Sequence, residues 1–377
     1  MKVLVVHNFY QSKMIGGEDL VVHREIKGLQ AALGEESVFQ YHVRNDDIHP
    51  IKLMRSIWGD ESHATRIAQL VKQHAINIVH VHNFFPLLTP LIFESAKKAG
   101  AKVIHTLHNY RNWCLSGLLY REDKPWCLDC VNRKFMWPGV RHGCYRQSKM
   151  QSAVAALAFG WYRQKHYFDA IDFYFALTEF QKNLLIQLGL PAGRIVVKPN
   201  GIEYPRSKVK RERAGFLYVG RLEKAKGIDD LLAIWKDLDY PLWVIGGPQG
   251  TYASYQHPKV TFLGQLSHNE TIDWMGKVKY LIHPAQAVET FGLTMIEAMA
   301  QGTPVIGLNR GTRLEFIIPG QTGFRGEPNE LKQLIIDAEH YSDYTALSER
   351  AARYAERFYI ERIIQEQISW YHNLKLA

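Results

Sequence analysis

The chain has 377 residues, 46% of them hydrophobic and 22% charged, which is the balance of a globular protein long enough for two α/β domains. No apolar run approaches the ~20 residues that a membrane span needs, and the N-terminus enters a strand directly, without a signal peptide, so we expect a cytoplasmic protein. Lys and Arg outnumber Asp and Glu by 46 to 37, a net charge of +9, which favours anionic partners.

The positive charge is concentrated in the first part of the chain. Residues 1–205 hold 25 basic and 17 acidic residues, whereas residues 206–377 hold 21 and 20. A basic first half suits an anionic acceptor, an acidic membrane surface or nucleic acid. Because the sequence contains no nucleic-acid recognition module, we expect no nucleic-acid partner. A basic, solvated surface without a partner is an equally good interpretation of the charge.

The first half alternates apolar strands with helices. Strands are predicted at Lys2–Asn8, Ile76–His82 and Lys102–His108, and helices at about 18–33 and 89–99. Strand, helix, strand at these lengths indicates a parallel sheet. In such sheets ligands bind at the carboxyl ends of the strands.

Histidines and a glycine pair lie on or beside these strands. His108 ends one strand, where a ligand would lie. His80 and His105 are predicted to be packed strand residues that point away from His82 and His108. The pair Gly16-Gly17 follows the first strand, where missing side chains let a backbone approach a ligand. Plain turn chemistry also explains such a pair.

All the cysteines of the chain fall within 31 residues of an irregular segment at about 111–149. They are Cys114, Cys127, Cys130 and Cys144. Cytosolic chemistry argues against structural disulfides, and a C-x-x-C with two more cysteines nearby has the inventory of a tetrahedral zinc site. Because spacings of 13, 3 and 14 residues are not a common zinc-finger pattern, structural zinc, reduced thiols and disulfides all stay open.

The same segment places aromatic rings among eight basic and three acidic residues. The aromatic residues include Trp113, Trp126, Phe135 and Trp137. Rings stack on sugar faces and cations contact phosphates, so the segment suits a saccharide or the head groups of an anionic membrane surface. A loop that packs on its own aromatics is an equally good interpretation.

Further elements complete the first half and lead to a linker. The pattern predicts a helix at 151–168, a strand at 171–178, a helix at 179–188, and a last strand and turn at 194–201. Residues 205–213 are charged and lack apolar periodicity, which indicates a linker. At the end of the chain, a helical run is predicted from about 346 to 374.

Two cations lie on a glycine-bordered loop after the strand that ends at Val219. Arg221 and Lys226 are five residues apart, with Gly220 and Gly227 beside them. An Arg fork and a mobile Lys ammonium can bracket a diphosphate. They can also stabilise the negative charge that grows on a phosphate as a sugar–phosphate bond breaks. Such a pair considered alone is usually solvated.

Two glutamates surround the start of a helix after the strand Tyr280–Pro284. Glu289 lies in the loop, the helix opens at Gly292 and Leu293, and Glu297 lies about one turn inside. The first amides of a helix lack partners within it and form a site for anionic oxygen. A carboxylate only accepts hydrogen bonds, so beside a phosphate site it suits sugar or ribose hydroxyls. The alternative is a charged face of an amphipathic helix.

These two loops carry a family resemblance. Glu289 and Glu297, eight apart around Phe291-Gly292-Leu293, resemble the paired-glutamate motif of retaining glycosyltransferases of the GT-B fold. Arg221 and Lys226 match the diphosphate-binding Arg and Lys of that family, and the resemblance extends over nearly the whole chain. It implies a nucleotide-diphosphate sugar as donor, without indicating which sugar.

The resemblance implies an α/β fold of two doubly wound parallel-sheet, Rossmann-like domains that face each other across a cleft. Residues 1–205 would form the acceptor-binding domain, with the cysteine-bearing insertion at about 111–149. A C-terminal helix at about 358–377 would pack back on this domain. Residues 206–357 would form the donor-binding domain.

The resemblance also implies individual roles. The residues that it assigns to the donor are Gly16, Gly17, Arg221, Lys226, Gly264, Glu289, Phe291, Gly292, Leu293 and Glu297. The residues that it assigns to catalysis are His108, Glu289, Arg221 and Lys226. Among these, His108 would lie beside the transferred sugar, Glu297 would bind the ribose, and the loop near Gly264 would receive the nucleobase through backbone contacts.

The function that we expect is transfer of a hexosyl group from a nucleotide-diphosphate sugar with retention at the anomeric carbon. The acceptor would be a saccharide or a lipid-linked saccharide, reached at the inner face of the membrane during surface polysaccharide or glycoconjugate synthesis. No Asp-x-Asp metal motif lies in the loop with Arg221 and Lys226, so we expect no catalytic metal. A nucleotide-sugar epimerase and a non-catalytic nucleotide-sugar-binding subunit are the alternatives.

Overall fold

The computed structural model of the chain describes residues 1–10, 16–47, 57–204, 212–247 and 250–376. The chain forms two compact units. Unit 1 comprises Met1–Leu119, Leu128–Gly201 and Ile360–Ala377, and unit 2 comprises Tyr120–Cys127 and Ile202–Tyr359. The predicted linker at 205–213 falls almost entirely outside the described residues.

Unit 1 contains a parallel sheet of six strands, in the order β2-β1-β3-β4-β5-β6. The strands are β1 (Val3–Phe9), β2 (Val38–Arg44), β3 (Ile78–Asn83), β4 (Lys102–Thr106), β5 (Phe173–Ala176) and β6 (Ile195–Val197). Every residue of β1 and β3 is buried, as expected for parallel strands covered by helices on both faces. The strand order reverses between β1 and β3, which makes this position the switch point of the sheet.

Helices cover the sheet of unit 1. They are α1 (Gly17–Leu33), α2 (Glu61–His74), α3 (Leu91–Lys98), α4 (Trp137–Arg141), α5 (Lys149–Gln164), α6 (Glu179–Gln187) and the C-terminal α13 (Ile360–Leu376). Side-chain caps begin three of them, because the side chains of Asp60, Ser148 and Thr178 each accept a hydrogen bond from an amide in the first turn. Ile364, Tyr371 and other residues of α13 belong to the same core as the strands.

Unit 2 repeats this architecture with the strand order β12-β11-β10-β7-β8-β9. Its strands, all parallel, are β7 (Phe216–Val219), β8 (Leu242–Ile245), β9 (Val260–Gly264), β10 (Tyr280–His283), β11 (Val305–Leu308) and β12 (Gly323–Gly326). Its helices are α7 (Ile228–Trp235), α8 (His268–Met275), α9 (Leu293–Ala300), α10 (Arg313–Phe316), α11 (Leu331–Glu339) and α12 (Tyr344–Ala355). Here the strand order reverses between β7 and β10.

The predicted fold class is confirmed, since both units are Rossmann-like parallel sheets flanked by helices. The helical run predicted at 346–374 is interrupted: α12 is followed by a 3-10 turn at Glu356–Phe358, and α13 begins only at Ile360. The backbone of this interruption pairs instead with Ile202, whose amide donates to the Phe358 carbonyl over 2.8 Å. Among the helices of the described ranges, none combines the length and apolarity needed to cross a bilayer.

Candidate functional site

The loops that follow β7 and β10 flank the switch point of unit 2, the position where open α/β sheets bind ligands. Lys226 ends a 3-10 turn, Lys224–Lys226, in the first loop. The carbonyl of Ala225 accepts hydrogen bonds from the amides of Gln286 and Ala287 over 3.0 and 2.9 Å. The backbone therefore fixes the Lys226 turn against the loop that carries Glu289.

Gly227 permits this close approach. It has a φ of +73°, and a Cβ atom there would lie 2.1 Å from the carbonyl oxygen of Pro284. Only glycine fits such a contact with a backbone atom without displacing the chain. Glycine is therefore required beside Lys226 because the two loops are in direct contact there.

Glu289 is the centre of a partly buried ionic cluster. One carboxylate oxygen, Oε1, lies 2.5 Å from the Lys226 ammonium, and Oε2 lies 3.2 Å from Nε2 of His283. Burial opposes ionisation of Glu289, but Lys226 and His283 outweigh it and hold the pKa of the carboxyl well below its usual range. Glu289 is therefore a carboxylate that accepts hydrogen bonds and cannot donate them.

His283 and Arg313 extend the cluster, and neither was predicted from the sequence as a site residue. Nη1 of Arg313 lies 3.3 Å from Nδ1 of His283, and burial lowers the pKa of His283. Since a guanidinium can only donate, Nδ1 of the neutral ring accepts and Nε2 carries the proton that is donated to Glu289. Arg313 is itself 1% exposed and donates from Nε to the Leu308 carbonyl over 3.1 Å.

The helix predicted beside Glu289 begins at Leu293, and Gly292 is its N-cap residue. Gly292 has a φ of +84°, and a Cβ atom there would lie 2.4 Å from Cε of Met295 and 3.2 Å from Oε2 of Glu289. The first amides of the helix have no partners within it. Phe291 turns its ring into the core, with its centroid 5.2 Å from that of Phe316, so only its backbone can face a ligand.

Other predicted donor-binding residues lie apart from the Glu289 cluster. Glu297 is 5% exposed, and its carboxylate lies 3.6 Å from Nε2 of His268. Arg221 is half-exposed and lies 3.2 Å from Glu223. Gly264 ends β9, where its carbonyl accepts from the Gly246 amide over 2.9 Å. Among the described side chains, Lys226 and His283 pair with the Glu289 carboxylate. Arg221 pairs with Glu223 instead.

The predicted site residues of unit 1 lie around its own switch point. Gly16 caps α1, Gly17 is its first residue, and a Cβ atom on Gly16 would lie 3.1 Å from the ring of Tyr10. His108 follows β4, and its Nε2 lies 2.9 Å from Nδ1 of His82 at the end of β3.

The prediction for His80 was wrong in part. His80 and His82 are two residues apart on β3 and therefore share a face, with ring centroids 4.3 Å apart. His80 is fully buried, but its neighbours include polar groups such as Thr106 Oγ1 at 2.7 Å. His105 is a packed strand residue as predicted, with its ring 5.3 Å from that of Phe93.

The four cysteines lie in the irregular segment, with Cys114 and Cys130 buried and Cys127 and Cys144 partly exposed. Among the described residues, the one group of three metal-ligand side chains whose ligand atoms lie within 4.8 Å of one another contains no cysteine. Structural zinc, which the number of clustered cysteines allows but their spacing does not favour, therefore stays a prediction.

Comparison with known proteins finds glycosyltransferases along most of the chain. The profile described as "Glycosyl transferases group 1" matches residues 202–358, and the profile described as "Glycosyltransferase Family 4" matches residues 21–205. By these two matches the chain resembles the group 1 glycosyltransferases. A glycogen synthase of Mycobacterium tuberculosis (strain CDC 1551 / Oshkosh) is 33% identical over 180 residues, which cover 43% of each chain. This chain thus spans less than half the length of that relative.

Solved structures of similar fold align over almost the whole chain. A sucrose-phosphate synthase from Thermosynechococcus elongatus aligns with a TM-score of 0.71 and 17% identity over 99% of each chain. Anabaena HepE, in complex with UDP-glucose, aligns with a TM-score of 0.63 and 16% identity over 97% of this chain and 99% of its own. At these identities the structures support the fold of two Rossmann-like domains.

Proposed function

We propose that the chain is a retaining glycosyltransferase that moves a hexosyl group from a nucleotide-diphosphate sugar to a saccharide or lipid-linked saccharide, without a catalytic metal. The observation that carries this proposal is the Lys226–Glu289 pair, held at the switch point of unit 2 beside the start of α9. One side of the pair offers positive charge to a diphosphate, and the other offers a carboxylate to sugar hydroxyls.

Lys226 is suited to the diphosphate. Its side chain is 27% exposed, and an ammonium has three donors, so it can hold Glu289 with one and give the others to phosphate oxygens. Arg221 on the same loop is exposed and adds a second cation with a forked geometry. The first amides of α9 add donors without adding charge. Together these groups stabilise the charge that the departing nucleoside diphosphate acquires as the bond between the sugar carbon and the phosphate oxygen breaks.

Glu289 is suited to the sugar. It is ionised, 12% exposed and held on two sides, by Lys226 and by His283. A fixed carboxylate accepts hydrogen bonds from sugar hydroxyls and orients the ring for attack by the acceptor oxygen. Glu297 would bind ribose hydroxyls in the same manner, and His108 would lie beside the transferred sugar. These last two roles, and retention, rest on the family resemblance.

Two further observations support the donor class and the family of reactions. HepE was crystallised with UDP-glucose, and one relative is a lipopolysaccharide 1,2-N-acetylglucosaminetransferase of Salmonella typhimurium. The first fits a donor that joins a nucleoside diphosphate to a sugar, and the second fits an acceptor that belongs to a surface glycan.

A screen of nucleotide sugars tests the proposed function. Thermal-shift measurements with UDP-, GDP-, ADP- and dTDP-sugars would identify the donor, and transfer to saccharide and lipid-linked acceptors would then be measured with and without EDTA. Proton NMR of the product gives its anomeric configuration. Conversion of the donor without any acceptor would establish the epimerase instead, and donor binding without turnover would establish the non-catalytic subunit.

We also propose that unit 1 contacts an anionic membrane surface. Trp137 is 63% exposed at the start of α4, and the basic residues Lys134 and Arg141 lie beside it in the chain. An exposed ring between cations suits the interface of an anionic bilayer. Flotation with phosphatidylglycerol vesicles at low salt should recover the protein, and Trp137→Ala should weaken recovery more than Trp370→Ala, a control at a tryptophan that is 38% exposed on α13. Absence of flotation at low salt would contradict the proposal.

A further inference from the structure

A buried polar cluster lies behind His108 at the switch point of unit 1. Its centre is Glu25 of α1, which is 2% exposed. Oε2 of Glu25 contacts the ammonium of Lys198, which is also buried, and Oε1 accepts from the Gln367 amide of α13 over 2.7 Å. Nε2 of His82 lies 3.2 Å from the same Oε1. The carboxylate is thus surrounded by donors from three other parts of unit 1: the residue after β6, the helix α13 and the strand β3.

The composition of this cluster resembles that of a metal site. Glu25, His80 and His82 each place one ligand atom within 4.8 Å of the others. However, the Lys198 ammonium already contacts the carboxylate, and the Gln367 amide donates to its other oxygen. A divalent cation would be repelled by the ammonium and would have to displace both donors. The cluster is therefore charge-balanced by Lys198.

The contacts determine where the imidazole protons lie. Burial opposes ionisation of Glu25, but Lys198 and then His82 and His80 outweigh it and hold the pKa of Glu25 well below its usual range. Burial lowers the pKa of His82 to about 3, against the opposing effect of Glu25. A neutral imidazole has one donor nitrogen and one acceptor nitrogen.

The ionised Glu25 and the neutral His82 determine the direction of each hydrogen bond. Because Glu25 only accepts, Nε2 of His82 carries the proton and donates to it. Nδ1 of His82 is then an acceptor, so Nε2 of His108, 2.9 Å away, must be the donor. Burial also lowers the pKa of His108 well below its usual range, so the ring holds this one proton and its Nδ1 is an acceptor.

We propose that Glu25 and His82 are positioning residues that hold His108 in the tautomer protonated on Nε2, so that it presents Nδ1 as an acceptor to a substrate hydroxyl. This inference rests on the proposed function, because it assigns His108 to the reacting sugar or acceptor. It is supported by the order of the hydrogen bonds: His108 donates to His82, and His82 donates to Glu25. The imidazole is then oriented before substrate arrives, which avoids reorganisation during the reaction.

The tautomer can be read directly in the wild-type protein. With ¹⁵N-labelled histidine, a long-range ¹H–¹⁵N correlation spectrum at pH 7.5 distinguishes protonated from unprotonated ring nitrogens. The signals of His108 and His82 are assigned by their loss in His108→Asn and His82→Asn. We expect protonated Nε2 and unprotonated Nδ1 in both rings. A proton on Nδ1 of His108 in the wild-type protein would overturn the proposal, and this measurement requires no variant to be active.

Two variants at one position test the effect on turnover. His82→Leu removes the acceptor for Nε2 of His108, whereas His82→Asn keeps an acceptor oxygen close to the position of Nδ1. His82→Leu should lower kcat roughly 10- to 100-fold, the range seen when an oriented imidazole loses its supporting partner, leave KM for the donor within about twofold, and give His108 a mixture of tautomers. His82→Asn should recover part of the loss.

His105→Leu is the matched control, since His105 is buried on the neighbouring strand and bonds to the Val81 carbonyl. It should leave the His108 spectrum and kcat unchanged even if the protein becomes less stable. An unchanged His108 tautomer and kcat in His82→Leu would contradict the positioning role, as would specific Zn²⁺ binding that requires Glu25, His80 and His82. If the tautomer is found but no nucleotide sugar is turned over, the positioning of His108 is supported and the proposed function fails.

Discussion

Lys224 and Lys226 lie on one 3-10 turn but have different environments. Lys226 is 27% exposed and contacts Glu289, whereas Lys224 is 60% exposed and pairs with Glu122, which is 67% exposed. Lys226→Ala should therefore weaken binding of a nucleoside diphosphate by about 1.5 to 3 kcal/mol, the value of a hydrogen bond to a charged group, or roughly 10- to 150-fold in Kd. Lys224→Ala should leave it unchanged. Isothermal titration of the nucleotide identified by the screen measures both, and equal losses would show that only the overall charge of the turn matters.

His283 should act on the sugar through Glu289. His283→Leu leaves one carboxylate oxygen without its donor, a loss of about 1 to 3 kcal/mol, and should lower kcat/KM for transfer correspondingly. His283→Gln can place an amide donor near the position of Nε2 and should retain more activity than His283→Leu. Steady-state kinetics with the identified donor compares them, and the same activity in both variants would exclude the hydrogen bond to Glu289 as the cause.

At the scale of single residues, charged groups in motifs could be singled out from the sequence. Groups that contact them from elsewhere in the chain could not. The sequence pointed to Lys226 and Glu289, which contact each other in the structure, because their loops carry glycines and a family motif. His283 was placed only inside a strand and Arg313 was given no role, because nothing in either pattern shows that the two side chains meet 30 positions apart. His80 was misjudged because alternation was applied to residues that are two apart, which share a face.

The start of α9 depends on a backbone conformation that glycine adopts readily. Gly292→Ala should cost roughly 1 to 2 kcal/mol for the left-handed conformation alone, and its Cβ atom would press on Met295 and approach Glu289. We expect a lower Tm and a marked loss of transfer. Gly276→Ala is the control: it ends α8 with a φ of −75°, and its Cβ atom would have nothing closer than 3.4 Å.

Thermal unfolding and transfer assays on the two variants distinguish a local effect from a general sensitivity to added methyl groups. Equal loss of activity in Gly292→Ala and Gly276→Ala would refute the special role of the helix start.

At the scale of elements, strand and helix types were predictable because apolar periodicity and turn residues agree with each other along most of the chain. Element ends were less predictable, as the interruption between α12 and α13 shows. There the helical periodicity continues, but Phe358 packs against Phe291 and Phe316, and its carbonyl accepts from Ile202. Contacts with residues distant in the chain decide that the helix stops, and a local pattern contains no sign of them.

For the whole molecule, the alternation of strands and helices sufficed to predict parallel α/β sheets, and the family resemblance added their division into two Rossmann-like domains. The cysteine-bearing segment was not predictable in the same way. Part of it, Tyr120–Cys127, belongs to unit 2, and the rest belongs to unit 1. An irregular segment has no periodicity from which such a division could be read.

The buried histidines of unit 1 should make the whole protein sensitive to mild acid. Burial lowers the pKa of His82 to about 3 and that of His105 to about 4, below the value of about 6.5 in an unfolded chain. Between these values the unfolded state binds more protons, so the free energy of unfolding is intact above pH 6.5 and falls as pH decreases. At pH 5, which is 1.5 units below 6.5, each of these two residues should lower the free energy of unfolding by about 2 kcal/mol, at 1.36 kcal/mol per pH unit.

Glu25 also lowers the free energy of unfolding in acid, but at lower pH. Its pKa is held below its usual range, so the stability that its ionisation contributes is lost only as pH falls below about 4.3. Urea unfolding at pH 7.5, 6.5, 5.5 and 5.0 should therefore show a plateau followed by a decline. His105→Leu should be less stable at pH 7.5, since it leaves the Val81 carbonyl without its donor, yet its stability should fall by about 2 kcal/mol less between pH 6.5 and 5. A decline of the same size in the variant would mean that His105 does not stay neutral in the folded protein.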